Sequence, residues 1–201
     1  MSNKTIVTVY GYGKQIAPGN RDWEGVAGDR NDSAYNILSF LNKHGIDAEL
    51  YISGGTKDPQ TGEAEAESML GNMKKRHPDL ERIVSDVVLD REAMNTSQNM
   101  KNMSTYAKSR GVEAIIGTTS VDHVSRAAKE GAYNNDLKGM LFGIVPSAES
   151  YSVNGSEFGP FILEPPFFPD KDTYTGFTGL FKLKPEQKKE VASVIQSYSK
   201  Q

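Results

Sequence analysis

Strand-like runs alternate with helix-like stripes along most of this chain, and that alternation restricts its fold more than any other feature. Residues 5–10 (TIVTVY), 48–53 (AELYIS), 84–89 (VSDVVL), 113–118 (EAIIGT) and 140–145 (MLFGIV) are short, rich in β-branched and aliphatic side chains, and mostly followed by glycine or small polar residues. Runs of this kind read as buried strands that stop at loops. Between the first two, Ala34, Ile37, Leu38 and Leu41 repeat at helical spacing behind the candidate caps Asn31 and Asp32, and Gly45 supplies the stop. Ala66, Met69, Leu70 and Met73 predict a helix over 63–76 closed by Pro78; Thr96, Met100, Met103 and Ala107 predict another ended by Gly111; a further helix is expected over 121–132. Each crossover helix returns the chain to the same end of the sheet. The pattern therefore predicts a three-layer, Rossmann-like α/β domain with a five-stranded, mainly parallel sheet and the first strand central.

No repeat or linker divides the 201 residues, which are read as one domain: a core over 5–146, an ordered aromatic excursion over 147–184 with room for a short hairpin, and a final helix over about 185–199 opened by Pro185. Hydrophobic residues at 37% against the roughly 45–50% of an average domain predict large loops. The formal charge of −3, without a basic stripe, argues against nucleic acid as a partner. The lack of cysteine removes disulfides, thiol nucleophiles and thiolate zinc sites. No apolar run has the length of a signal peptide or a membrane span, so the expected setting is cytoplasmic, without a membrane partner.

In open parallel sheets, ligands bind outside the carboxyl ends of the strands. The residues placed there by the pattern are Gly11 and Gly13, then Ser53, Gly54 and Gly55, then Asp90, then Thr119 and Ser120 with His123 one turn into the next helix. Glycines and small hydroxyls near helix N-termini let backbone N–H groups face an anion, although glycine after a strand is equally an ordinary turn residue. The third glycine of a dinucleotide fingerprint would fall on Ile16, and neither a phosphate-loop lysine nor a serine-hydrolase elbow is present. His123 and Arg126, three apart on one helix, can point to the same space. Glu65 opens a helix, where the dipole alone would explain an acid, and Met69, Met73, Met100 and Met103 read as core. His44 and His77 are expected as partners of helix C-termini.

Taken in order, Tyr10-Gly11-Tyr12-Gly13, Ser53-Gly54-Gly55, Glu65-Ala66 with Met69, Asp90 ahead of Asn95-Thr96 and Asn99, and Thr119-Ser120 with His123, Arg126 and Ala127 resemble the YdcF/SanA/ElyC-like family of domains of unknown function. The resemblance spans roughly residues 5–146 and implies a Rossmann-like fold. Asp90 stands where that family usually has Glu, and Ala93 where it often has Ser. A relative has been associated with S-adenosylmethionine binding, and some relatives carry an N-terminal membrane anchor.

The functional expectation is an enzyme acting on a small phosphorylated or nucleotide-like metabolite, by hydrolysis or group transfer. The loops of Gly11, Gly13, Ser53, Gly54 and Gly55 would hold the anion, together with Arg30, Thr96, Asn99, Thr119 and Ser120. Arg126 would balance its charge and His123 would exchange a proton. Asp90 and Glu65 would orient His123 or the attacking group, or hold a divalent cation; no metal-ligand motif is present. The alternative is a binding module that holds S-adenosylmethionine or a nucleotide without chemistry. The loop over 13–30 and the aromatic stretch over 147–174 are expected at the same edge as walls or a lid, with Trp23 and Phe158 as flat surfaces.

Overall fold

The computed structural model describes residues 4–12, 21–147 and 161–163. All of these fall in the first of two compact units, Met1–Phe167; the second, Phe168–Gln201, lies outside the described residues. So do Gly13, Phe158, the final helix expected from Pro185, and the side chain of Trp23.

The strands are β1 (Thr5–Tyr10), β2 (Ala48–Ser53), β3 (Asp86–Asp90), β4 (Ala114–Thr119), β5 (Leu141–Pro146) and β6 (Phe161–Leu163). They form one sheet in the order β3-β2-β1-β4-β5-β6, with β1 inside it as expected. The first five are parallel to their neighbours, and β6, from the aromatic stretch, adds a short antiparallel edge to β5. The helices are α1 (Arg21–Lys43), α2 (Glu65–Arg76), the single turn α3 (Leu80–Ile83), α4 (Thr96–Arg110) and α5 (Val121–Ala132). The result is the three-layer α/β architecture that the alternation predicts. Among the described residues no helix is long and apolar enough to cross a membrane.

Alternation along β1 divides the core. Val7 and Val9 pack with Leu50 and Ile52 against Ala34, Leu38, Met69 and Met73 of α1 and α2. Tyr10 faces the other way, and its hydroxyl reaches Met100 of α4 at 3.9 Å. Burial pushes the Tyr10 phenol well above its ordinary range. Met69, Met73, Met100 and Met103 are all buried, so these stripes are core. Gly45 and Gly111 adopt positive φ of 70° and 65° where α1 and α4 end, the left-handed stop that glycine permits.

Two boundaries differ from the sequence expectation. The helix placed behind Asn31 and Asp32 begins ten residues earlier, at Arg21, so residues 21–30 are helix and not part of a long loop. The reason is that the inward stripe continues through Ala27, Arg30 and Asn31 to Ala34, all buried, and two polar side chains on it interrupt the apolar period. Asn31 caps nothing; its amide donates to Met69 O at 3.0 Å and to Asn72 Oδ1 at 3.2 Å, tying α1 to α2. Strand β3 starts at Asp86 and not at Val84, because the α3 turn delays it.

Asp32 is likewise no cap. It takes the Arg76 guanidinium at both carboxylate oxygens and His77 Nε2 at 2.7 Å, while the His77 ring stacks on Tyr35 with centroids 3.8 Å apart. His77 is thus held by α1 as well as standing at the end of α2, whereas His44 Nδ1 stays within its own helix, 2.8 Å from Phe40 O. Burial works to raise the Asp32 carboxyl, but the hydrogen bonds and charges of Arg76 and His77 outweigh it and hold the carboxyl below its ordinary value. A depressed folded pKa means that the contribution is complete above the unfolded value of about 3.9 and is lost as pH falls through the folded one. With Arg76 and Asp32 side chains 44% and 32% exposed, screening limits this staple to below about 1 kcal/mol. Asp32→Asn is expected to lower the stability read by urea denaturation at neutral pH by that small amount, and the gap to the parent should close as pH falls below the ordinary carboxylate range; a gap that does not narrow on acidification would show that the carboxylate charge is not what matters.

Candidate functional site

The strand order reverses at β1, with β2 and β3 to one side of it and β4 to β6 to the other. Crossover loops leave in opposite directions at such a point and open a crevice above the carboxyl ends. A cleft of about 180 Å³ lies there, and four connections line it. Gly11 and Tyr12 follow β1, Gly54 and Thr56 follow β2, and Ala93, Met94 and Asn95 follow β3. Thr96 and Asn99 line it from α4, and His123 and Arg126 from α5. It is smaller than the roughly 300 Å³ at which pockets for drug-sized ligands begin.

Glu65, in the first turn of α2, is the carboxylate on this cleft among the described residues. It is 1% exposed, and its Oε1 accepts the Tyr12 backbone N–H at 2.7 Å. Two glycines make room for it. A Cβ on Gly11 would stand 2.8 Å from Glu65 Cδ, and one on Gly54 would stand 3.0 Å from Glu65 Oε2. The Gly11 and Gly54 positions predicted to approach a ligand therefore also clasp an acidic side chain, which limits how far the loops can act as an anion cradle.

Several residues expected at the ligand lie beneath the cleft as its scaffold. Ser53 Oγ is 2.8 Å from Asp90 Oδ2, to which it donates, and 3.0 Å from Asn99 Oδ1. Asp90 Oδ1 accepts the backbone N–H groups of Glu92 at 3.0 Å and Ala93 at 3.2 Å, and Asn102 Nδ2 reaches both carboxylate oxygens. This carboxylate is occupied in folding the loop after β3, so it does not line the cleft. Burial first, and then the Asp90 charge, push the neighbouring Tyr51 phenol above its ordinary range. Gly55 N–H donates to Ala93 O at 2.7 Å, locking the loops after β2 and β3 together. Thr119 is fully buried, and its Oγ1 has no hydrogen-bond partner among the described residues.

Arg30 departs furthest from expectation. It is not on a loop at the ligand but fully buried on α1, with Nη1 donating to Tyr10 O at 2.6 Å and Nη2 to Ser120 Oγ at 2.5 Å. Its guanidinium lies 5.3 Å from the Tyr12 ring centroid, and Nη2 is 3.5 Å from His123 Nδ1. Ser120 is thereby occupied as well. Arg126, by contrast, is exposed on the cleft wall.

Tyr12, Thr56 and Met94 line the cleft without having been assigned a part from sequence. Tyr12 lies between the two glycines of the Gly-Tyr-Gly motif, and Thr56 and Met94 are loop residues with no local signal. Among the described residues no group of three or more His, Asp or Glu converges as a metal site. No protein-family model and no curated protein sequence matches this chain.

Proposed function

We propose that this protein is an enzyme acting on a small phosphorylated or nucleotide-like metabolite, by hydrolysis or group transfer, in the cleft above β1 and β4. The observation that carries this reading is the company Glu65 keeps: a buried carboxylate shares a cleft of about 180 Å³ with His123 and Arg126 at the sheet's switch point. A site of that content provides an exposed guanidinium to neutralise an anionic group, an imidazole at the reacting oxygen and a carboxylate able to take a proton from an attacking water or hydroxyl. The α4 N-terminus, with Asn95 accepting Gln98 N–H at 3.0 Å, adds a favourable dipole for negative charge. Membership of the YdcF/SanA/ElyC-like family is part of the same proposal, supported by Glu65, Thr96, Asn99, His123 and Arg126 sharing one cleft although they are far apart in sequence.

The test is to incubate the purified chain with a panel of phosphomonoesters, nucleotides and S-adenosylmethionine, and to follow each by mass spectrometry and phosphate release. Conversion of at least one compound, lost in Glu65→Gln, is the expected result. A compound that binds by calorimetry yet stays intact over hours would overturn the enzyme reading in favour of a binding module. Its release in Arg126→Ala would still place it in this cleft.

A further inference from the structure

We propose that the buried Arg30 guanidinium holds His123 in the neutral tautomer whose proton sits on Nε2, so that the imidazole offers a hydrogen-bond donor, and not a base, to whatever occupies the cleft. The tautomer itself stands on geometry alone; the use made of it rests on the function proposed above.

The argument starts from what a guanidinium can do. It carries only donors and stays charged at any pH a protein survives. Arg30 Nη2 faces His123 Nδ1 at 3.5 Å, so the complementary partner there is a ring lone pair. A proton on Nδ1 would instead set N–H against N–H. The single proton of the neutral ring then belongs on Nε2.

The guanidinium has little freedom to turn away. It is fully buried, its Nη1 is bonded to a backbone carbonyl at the end of β1, its Nη2 also serves Ser120, and the Tyr12 ring covers it. His123 is fixed from its own side, because its backbone N–H closes the first turn of α5 on Ser120 O at 2.9 Å. One buried cation thus spans the end of β1, the start of α5 and the imidazole.

A histidine that serves as a general base needs the opposite arrangement, with Nδ1–H held by an acceptor and the lone pair on Nε2 facing the substrate. With Nδ1 engaged as acceptor, His123 is suited to donate Nε2–H to an anionic oxygen, and proton abstraction falls to Glu65. On this proposal His123 donates a hydrogen bond where the sequence reading has it exchange a proton. Arg30 acts through His123 and is a positioning residue.

Nitrogen NMR on the whole protein labelled with 15N-histidine decides the matter without any ligand, so the outcome is independent of whether the enzyme reading survives. The chain has three histidines, and His123→Gln identifies the resonances of this one. His44, whose Nδ1 faces a carbonyl oxygen and not a guanidinium, is the internal comparison. The expected pattern at neutral pH is an unprotonated Nδ1 and a protonated Nε2 for His123, with a nuclear Overhauser contact from the Arg30 guanidinium protons to its ring. In Arg30→Met, which removes the charge and the donors, the pattern should move toward a mixture of tautomers. A protonated Nδ1 in the parent protein, alone or as part of an imidazolium, would overturn the proposal. So would the absence of the Arg30 contact, or an unchanged pattern in a folded Arg30→Met; should that variant fail to fold, the parent's tautomer and contact decide.

Discussion

His123→Ala is expected to lower turnover by two to three orders of magnitude while changing ligand affinity by less than about tenfold, and Arg126→Ala to weaken binding by more than that. The difference follows from where each group acts. A hydrogen-bond donor aimed at an oxygen that gains charge strengthens mainly in the transition state, and removing one such donor typically costs about 10²–10³ in rate. On the proposed function the exposed Arg126 would attract the anion whether or not reaction has begun, so its loss would be felt in binding and turnover together. Calorimetry and turnover on the same compound separate the two. Equal loss of affinity in both variants, with no chemistry in the parent, would leave only the binding module.

A large effect on stability is expected at Gly55. A Cβ there would stand 2.8 Å from Glu92 C and 2.9 Å from both Ala93 O and Arg91 O. All three are backbone atoms of a loop already pinned by the Asp90 carboxylate, so no side chain can swing aside to make room. Overpacking of this kind costs about 1–3 kcal/mol, and the upper end is expected for Gly55→Ala because three backbone atoms must move at once. Gly71, on the exposed face of α2, is the contrast: its Cβ would meet nothing within 4 Å, and alanine there should stabilise the helix by up to about 1 kcal/mol. Urea denaturation of both variants reads the difference. A Gly55→Ala protein as stable as its parent would mean that the two loops are not locked as described.

How far the chain could be read in advance varies with what each residue answers to. The strand runs and the helix stripes at Met69 and Met73, or at Met100 and Met103, follow from local periodicity, since an apolar face must be buried wherever it is placed. The parallel sheet follows in turn, because a strand joined to the next by a helix has little other choice. That fixes the carboxyl ends as one edge and so gathers Gly11, Gly54, Thr96, Asn99, His123 and Arg126 there from residue order alone.

What periodicity cannot reveal is the partner of a polar side chain. The start of α1 was obscured because Arg30 and Asn31 occupy inward positions, and their burial makes sense only with Tyr10, Ser120, Met69 and Asn72 brought alongside. Ser53, Asp90 and Ser120 looked like ligand-facing residues for the same reason that Thr96 and Asn99 did: all follow strands. Which of them reach the cleft and which bond to one another beneath it depends on contacts across 37 residues between Ser53 and Asp90 and 90 between Arg30 and Ser120. The sequence by itself determined the layers, the sheet and the edge that carries the cleft, because those depend on the spacing of apolar residues. Only the tertiary structure decided which polar groups face outward, because a buried donor or acceptor settles where its partner is, and chain order does not record that partner.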